Sequence, residues 1–177
     1  MPAPSPPRAL RIAVLEADHP MPNTTAKFGS YGGVFSRLLT AAATSQLGWN
    51  PAATLKLEKF AAVDGELPDS PRGWDAVLIT GSRHSAHTDA PWIVALTEYV
   101  RAVLAAGGRV IGVCFGHQIL GRALGARVVA TPTWELSVLP MQLSDAGRAL
   151  FGQDALVGAP PPPPARRPRL TRRRACT

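Results

Sequence analysis

Cysteine and histidine are scarce in this chain. Two cysteines occur in 177 residues, one of them near the end, so no disulfide framework can form and a reducing compartment, the cytoplasm, is expected. Histidine occurs four times, at positions 19, 84, 87 and 117, and not beyond. No apolar run reaches the ~20 residues that cross a bilayer, which argues against a membrane segment. The start, 1–9, is rich in proline and lacks the basic and apolar regions of a signal peptide; it is expected to form a flap.

Acids are outnumbered 12 to 19, giving a formal net charge of +7. The excess is local. Six arginines at 166, 167, 169, 172, 173 and 174 stand in a segment without acids, leaving 13 basic against 12 acidic residues before it. Such a segment would attract phosphates, but no aromatic residue accompanies it, so no specific nucleic-acid partner is expected.

The informative stretch is 109–120, Arg-Val-Ile-Gly-Val-Cys-Phe-Gly-His-Gln-Ile-Leu. A β-branched run enters Gly112-Val-Cys114-Phe-Gly116, and a helical pattern follows. That is the layout of a nucleophile elbow, with cysteine where serine is commoner. Gly112 and Gly116 would let strand and helix approach closely around a strained residue. At the start of a helix, Cys114 would also face the positive end of the macrodipole.

The segment Gly112-Val-Cys-Phe-Gly-His-Gln118 resembles the Gly-x-Cys-x-Gly-x-Gln signature of class I, triad-type glutamine amidotransferases, and among them the small free-standing relatives of the GMP synthase amidotransferase domain. The resemblance implies a flavodoxin-like α/β fold, a mainly parallel sheet with helices on both faces. It implies that Cys114 attacks the side-chain amide of glutamine, forming a glutamyl thioester and releasing ammonia. Thr80-Gly81-Ser82-Arg83 occupies the slot of the family's Ser-Gly-Gly-Pro loop. The Ser82 and Phe115 amides are then the implied oxyanion donors, Gly81 permits the turn, and Gln118 shapes the glutamine pocket. The substrate implied is glutamine or a γ-glutamyl compound, and no metal or organic cofactor is implied. Either an ammonia-accepting partner enzyme or a simple hydrolase activity is implied too, because no synthetase domain accompanies the motif.

Residues 10–15, 55–60, 74–80, 109–113 and 127–130 read as strands, with 55–60 nearer an edge because its apolar residues alternate with polar ones. The stretch 16–33 reads as a long polar loop. Val34, Phe35, Leu38, Leu39 and Ala42 mark a first helix, and Ile93, Leu96, Val100, Val103 and Leu104 a second, capped by Thr88 or Asp89 and ended by Gly107-Gly108. A third helix is expected from Gln118 to about Leu124. Asp18 reads as a loop residue. Trp134-Glu-Leu-Ser-Val-Leu139 resembles a further family strand, and 144–152 a turn after it.

The resemblance covers 10–156, so the expected domain is 10–157. There the family continues with its last strands and a His-x-Glu motif, whose histidine is the general base. This sequence instead has a proline run and the six arginines over 158–177, a composition that favours a disordered tail over strands. The expectation is a domain lacking its C-terminal strands, with impaired turnover. Of the remaining histidines, His117 is expected to point away from the thiol, and His84 and His87 to stabilise their loop. Two alternatives stay open: a γ-glutamyl peptidase using the same cysteine chemistry, and a non-catalytic truncated product or binding module.

Overall fold

The computed structural model describes residues 8–130 and 140–156, which fall into two separate units. The flap at 1–7, the strand expected at 134–139 and the tail at 158–177 lie outside the described residues.

In the first unit, β1 (Leu10–Leu15), β2 (Leu55–Phe60), β3 (Ala76–Ile79) and β4 (Val110–Gly112) form one sheet in the order β2-β1-β3-β4. All three pairings are parallel, with Leu15 beside Phe60 and Ile79, and Ile79 beside Gly112. The sheet is built as the apolar runs predict. β1 is closed in on both faces: Ala13 and Leu15 join one core, Ile12 and Val14 the other. β2 sits at an edge and alternates between half-buried and exposed residues, as its sequence does.

One face is covered by α4 (Pro91–Ala105) and α5 (Phe115–Ala123), whose Ile93, Leu96, Val100, Val103 and Ile119 pack on Ala13, Leu15, Val77 and Ile79. The other is covered by α2 (Tyr31–Leu47), through Phe35 and Leu39 on Ile12, Val14 and Leu78. This is the doubly covered α/β layout that the motif's resemblance implies.

Several local expectations are corrected. The stretch 16–33 is not all loop: α1 (Pro22–Phe28) lies in it, with proline at its first position where no amide donor is needed, and Tyr31 already opens α2. Of the five α2 residues expected to face inward, Phe35 and Leu39 pack on that core and Val34 is half-buried; Leu38 and Ala42 are exposed, and Ala43 is buried instead. After α2 comes the single turn α3 (Pro51–Thr54). α4 is not capped by Thr88 or Asp89. Ala90 holds the N-cap position without a side-chain bond, Thr88 donates its hydroxyl to the Ser85 carbonyl, and Asp89 pairs with Arg122. Its end is as read, at the positive-φ Gly107. Residues 127–130 form no strand, since no described neighbour pairs with them.

The second unit holds β5 (Met141–Gln142) antiparallel to β6 (Ala155–Leu156), with α6 (Asp145–Phe151) between them. The expected turn is thus a short helix. Its N-cap Ser144 accepts the Gly147 amide at 3.2 Å, and Gly152 closes it at φ 66°.

Candidate active site

β4 ends at Gly112, and within three residues the chain is in α5. The reversal is a tight turn over 113–116, closed by the Gly116 N–H donating to the Val113 carbonyl at 2.9 Å. Cys114 takes the second position of the turn with φ 51° and ψ −104°, as the first central residue of a type II′ turn does. Among the described residues it is the sole non-glycine at positive φ. An L side chain held there costs on the order of 1–3 kcal/mol, so the surroundings must impose it. They do so through the two glycines. A Cβ on Gly112 would lie 2.4 Å from the Gly116 oxygen, and one on Gly116 would lie 2.5 Å from the Ile79 oxygen. Any side chain would push helix and strand apart and unbend the elbow.

The consequence for Cys114 is exposure. Its thiol is free and solvent-accessible at the N-cap of α5, not buried as most small cysteines are. α5 begins at Phe115, three residues before the start expected at Gln118, because the elbow itself makes its first turn: the Gln118 N–H donates to the Cys114 carbonyl at 3.1 Å.

The loop after β3 arrives beside this turn. A Cβ on Gly81 would stand 3.8 Å from that of Cys114, in ordinary contact. Thr80, fully buried, anchors the loop: its hydroxyl accepts the Ala17 N–H at 2.9 Å and donates to the Gly81 carbonyl at 3.0 Å. The Ser82 hydroxyl accepts the His84 N–H at 2.9 Å. Among the described residues the backbone N–H groups of Ser82 and Phe115 have no hydrogen-bond partner. An exposed thiol with two uncommitted amides on its flanking segments can attack a carbonyl and meet the negative charge that develops on its oxygen.

Phe115 is buried and stacks on Trp92 at 5.6 Å, and His84 packs edge-on against Trp92 at 5.2 Å. His84 is therefore held on α4, and its backbone N–H is already bound to Ser82. His19 pairs with Asp64 at 3.1 Å, and His117 and His87 are exposed. None of the four histidines hydrogen-bonds Cys114 among the described residues. Gln118 lies exposed one helical turn beyond Cys114. No group of three or more His, Cys, Asp or Glu converges as a metal site among the described residues.

Sequence reading missed three residues near this site. Asp18, 3% exposed, is no simple loop residue. Its carboxylate accepts from the backbone N–H, Nε and Nη2 of Arg83 at 2.8–2.9 Å, and from the His19 N–H. Hydrogen bonding to the Arg83 side chain leads the causes that hold its pKa down at about 2, outweighing the opposing effect of burial. Arg122 of α5 donates to the Ala86 and Thr88 carbonyls and pairs with Asp89, so the far end of the same loop is strapped as well. The only signal in the sequence was Arg83 in the slot of a family proline. Nothing in local pattern says that Asp18, 65 residues earlier, answers it.

A separate cavity of about 210 Å³ opens over the carboxyl ends of β1 and β2, lined by Glu16, Asp18, His19, Thr25, Ser30 and Ala61. Cys114, Gly81 and Ser82 are not part of it.

No protein-family profile matches the chain. It is 35% identical over 150 residues to a glutamine amidotransferase-like protein of Schizosaccharomyces pombe, covering 82% of this chain and 60% of that one. It is 33% identical over 101 residues to gamma-glutamyl peptidase 3 of Arabidopsis thaliana, covering 56% of this chain and 37% of the relative. The chain thus spans less than two thirds of the length of these relatives. Among solved structures, a glutamine amido transferase from Methylobacillus flagellatus superposes with a TM-score of 0.54 at 22% identity, over 84% of this chain and 53% of that one, a likeness of fold.

Proposed function

Because this chain carries a class I glutamine amidotransferase-like domain, we propose that Cys114 is the nucleophile in hydrolysis of a γ-carboxamide, glutamine being the first substrate to consider. The observation that carries the proposal is the strained, exposed Cys114 at the β4–α5 turn, with the Gly81 loop alongside.

In this reading Sγ adds to the amide carbon, a C–S bond forms, and the carbonyl π pair moves onto oxygen. The N–H groups of Ser82 and Phe115 receive that charge. Collapse restores the C=O bond and breaks the C–N bond, and the nitrogen leaves as ammonia after taking a proton. Water then cleaves the thioester, yielding glutamate and the free thiol. Gln118, exposed at the elbow, borders the pocket for the substrate's far end. Resemblance assigns the proton transfers to a histidine of the His-x-Glu motif. None of His19, His84, His87 and His117 hydrogen-bonds Cys114 among the described residues, so proton transfer is the step expected to be slow.

The expected outcome is therefore covalent capture without efficient turnover. The chloromethyl ketone isostere of glutamine should label Cys114 stoichiometrically, as read by mass spectrometry, while steady-state ammonia release stays near background. No labelling of Cys114, or robust ammonia release that survives Cys114→Ala, would overturn the reading.

The likeness to gamma-glutamyl peptidase 3 favours a second substrate class with the same thioester, γ-glutamyl peptides. Only the leaving amine differs, so paired assays with glutamine and γ-glutamyl peptides decide between them. With glutamine as substrate, a partner enzyme consuming ammonia is part of the proposal. A cytoplasmic setting goes with it, on the scarcity of cysteine; no described helix is long and apolar enough to cross a membrane.

A further inference from the structure

We propose that Arg83, locked by Asp18, is a positioning residue that sets the Ser82 amide for the oxyanion. The inference rests on the reading of Cys114 and Ser82 given above, and adds what holds the Ser82 side of the hole in place.

The Phe115 amide needs no help: it belongs to α5 and moves with the nucleophile. The Ser82 amide is different. It sits on a loop, and a loop amide is useful as an oxyanion donor only if its direction is fixed before the charge appears. On one side of it, Thr80 is tied to Ala17 and Gly81. On the other side, the very next residue, Arg83, is fixed to Asp18 through its backbone N–H at 2.8 Å and through two side-chain nitrogens at 2.9 Å. Arg83 Nη2 also donates to the His19 carbonyl at 3.2 Å. The peptide carrying the Ser82 N–H is therefore held between two anchors, both on the segment that follows β1.

The pair is suited to this. Asp18 is buried whereas the Arg83 side chain is 65% exposed. A planar guanidinium can engage a carboxylate through two parallel N–H bonds, which fixes orientation as well as distance. A lysine would supply the charge without the fork. Burial of the carboxylate alone would favour its neutral form; the bonds from Arg83 keep it ionised, with its pKa at about 2, so the clamp stays closed at any pH where a cysteine thiolate is available.

The experiment compares two alkylating agents on the purified chain and on Arg83→Ala, Arg83→Lys and Asp18→Asn. With the chloromethyl ketone isostere of glutamine, Sγ displaces chloride, the C–Cl pair leaves with it, and the polarised ketone oxygen occupies the oxyanion position. With iodoacetamide, Sγ displaces iodide with little demand on that position. The expected result, read as labelling of Cys114 by mass spectrometry, is a maximal rate with the chloroketone lower by about tenfold or more in Arg83→Ala and Asp18→Asn, and intermediate in Arg83→Lys. The concentration giving half-maximal rate should shift by less than about threefold, and iodoacetamide rates should stay within about twofold. Truncating an exposed side chain opens no cavity, and Arg83→Lys keeps the counter-charge should the alanine variant unfold. Wild-type chloroketone rates in the folded variants would overturn the proposal. So would equal losses with both reagents, which would mark Arg83 as merely structural. If the unmodified chain reacts with iodoacetamide but not with the chloroketone, the reading of the site as a γ-carboxamide hydrolase fails, and this inference with it.

Discussion

Three residues tie the candidate site to stability: Cys114, Gly116 and Asp18. Cys114 is held at φ 51°, a conformation disfavoured for a residue with a Cβ. Cys114→Gly should consequently be more stable than Cys114→Ala, by about 1 kcal/mol after the entropy glycine loses on folding. Urea titration of the two variants checks this; equal midpoints would mean the turn relaxes around either residue. At Gly116 the obstacle is backbone. A methyl group would meet the Ile79 carbonyl at 2.5 Å, which no rotamer change can relieve, so Gly116→Ala should destabilise by about 1–3 kcal/mol and depress labelling of Cys114. Asp18 links stability to pH. Its carboxyl pKa is lowered on folding from 3.8 to about 2, so its contribution is fully present above pH 4–5 and fades as pH falls through about 2. Discounted for the exposed guanidinium, that contribution is about 1–2 kcal/mol. Denaturation followed from pH 6 to pH 2 should show a loss that Asp18→Asn lacks.

At the scale of the element, α4 gives the sharpest test. Leu96 is fully buried in the cluster formed with Ala13, Leu15, Val77 and Ile79, and Leu96→Ala should cost about 2–5 kcal/mol in chemical denaturation. Helix α4 was legible because a broad apolar stripe meets a large core, and all five of its expected inward residues are buried or half-buried. α2 was legible as a helix but not in its facing. Its sequence offers apolar residues over a wide arc, and of these Phe35 and Leu39 pack on the strand side chains Ile12, Val14 and Leu78 while Leu38 and Ala42 stay exposed. α1 has no buried residue at all, so periodicity could not reveal it; the proline at its first turn was the remaining clue. Residues 127–130 have strand propensity and no strand. β propensity is realised only through a neighbour, and a single sequence does not name one.

For the whole molecule, the four-stranded sheet gathers the chemistry at one end. The loops after β1 and β3 and the turn after β4 all leave the carboxyl ends of parallel strands, where ligands of such sheets bind. The elbow was readable from twelve consecutive letters because its constraints are local: two glycines, a turn and a helix start. The Asp18–Arg83 clamp was not, since it joins positions 65 residues apart, and an arginine in the slot of a family proline does not name its partner. β4 forms one margin of the described sheet, and its Ile111 and adjoining Val113 are 47% and 37% exposed.

That division between local and distant constraint bears on how such a protein could be recombined. A crossover that brought in residues 76–123 as one block would import Cys114, both glycines, the loop amide proposed for the oxyanion and the strap from Arg122. It would leave position 18 to the recipient. Chimeras should therefore sort by a single inherited pair: those combining an aspartate at 18 with the incoming arginine would keep the chloroketone reactivity proposed for Cys114, and those without it would receive the whole elbow and still be labelled slowly.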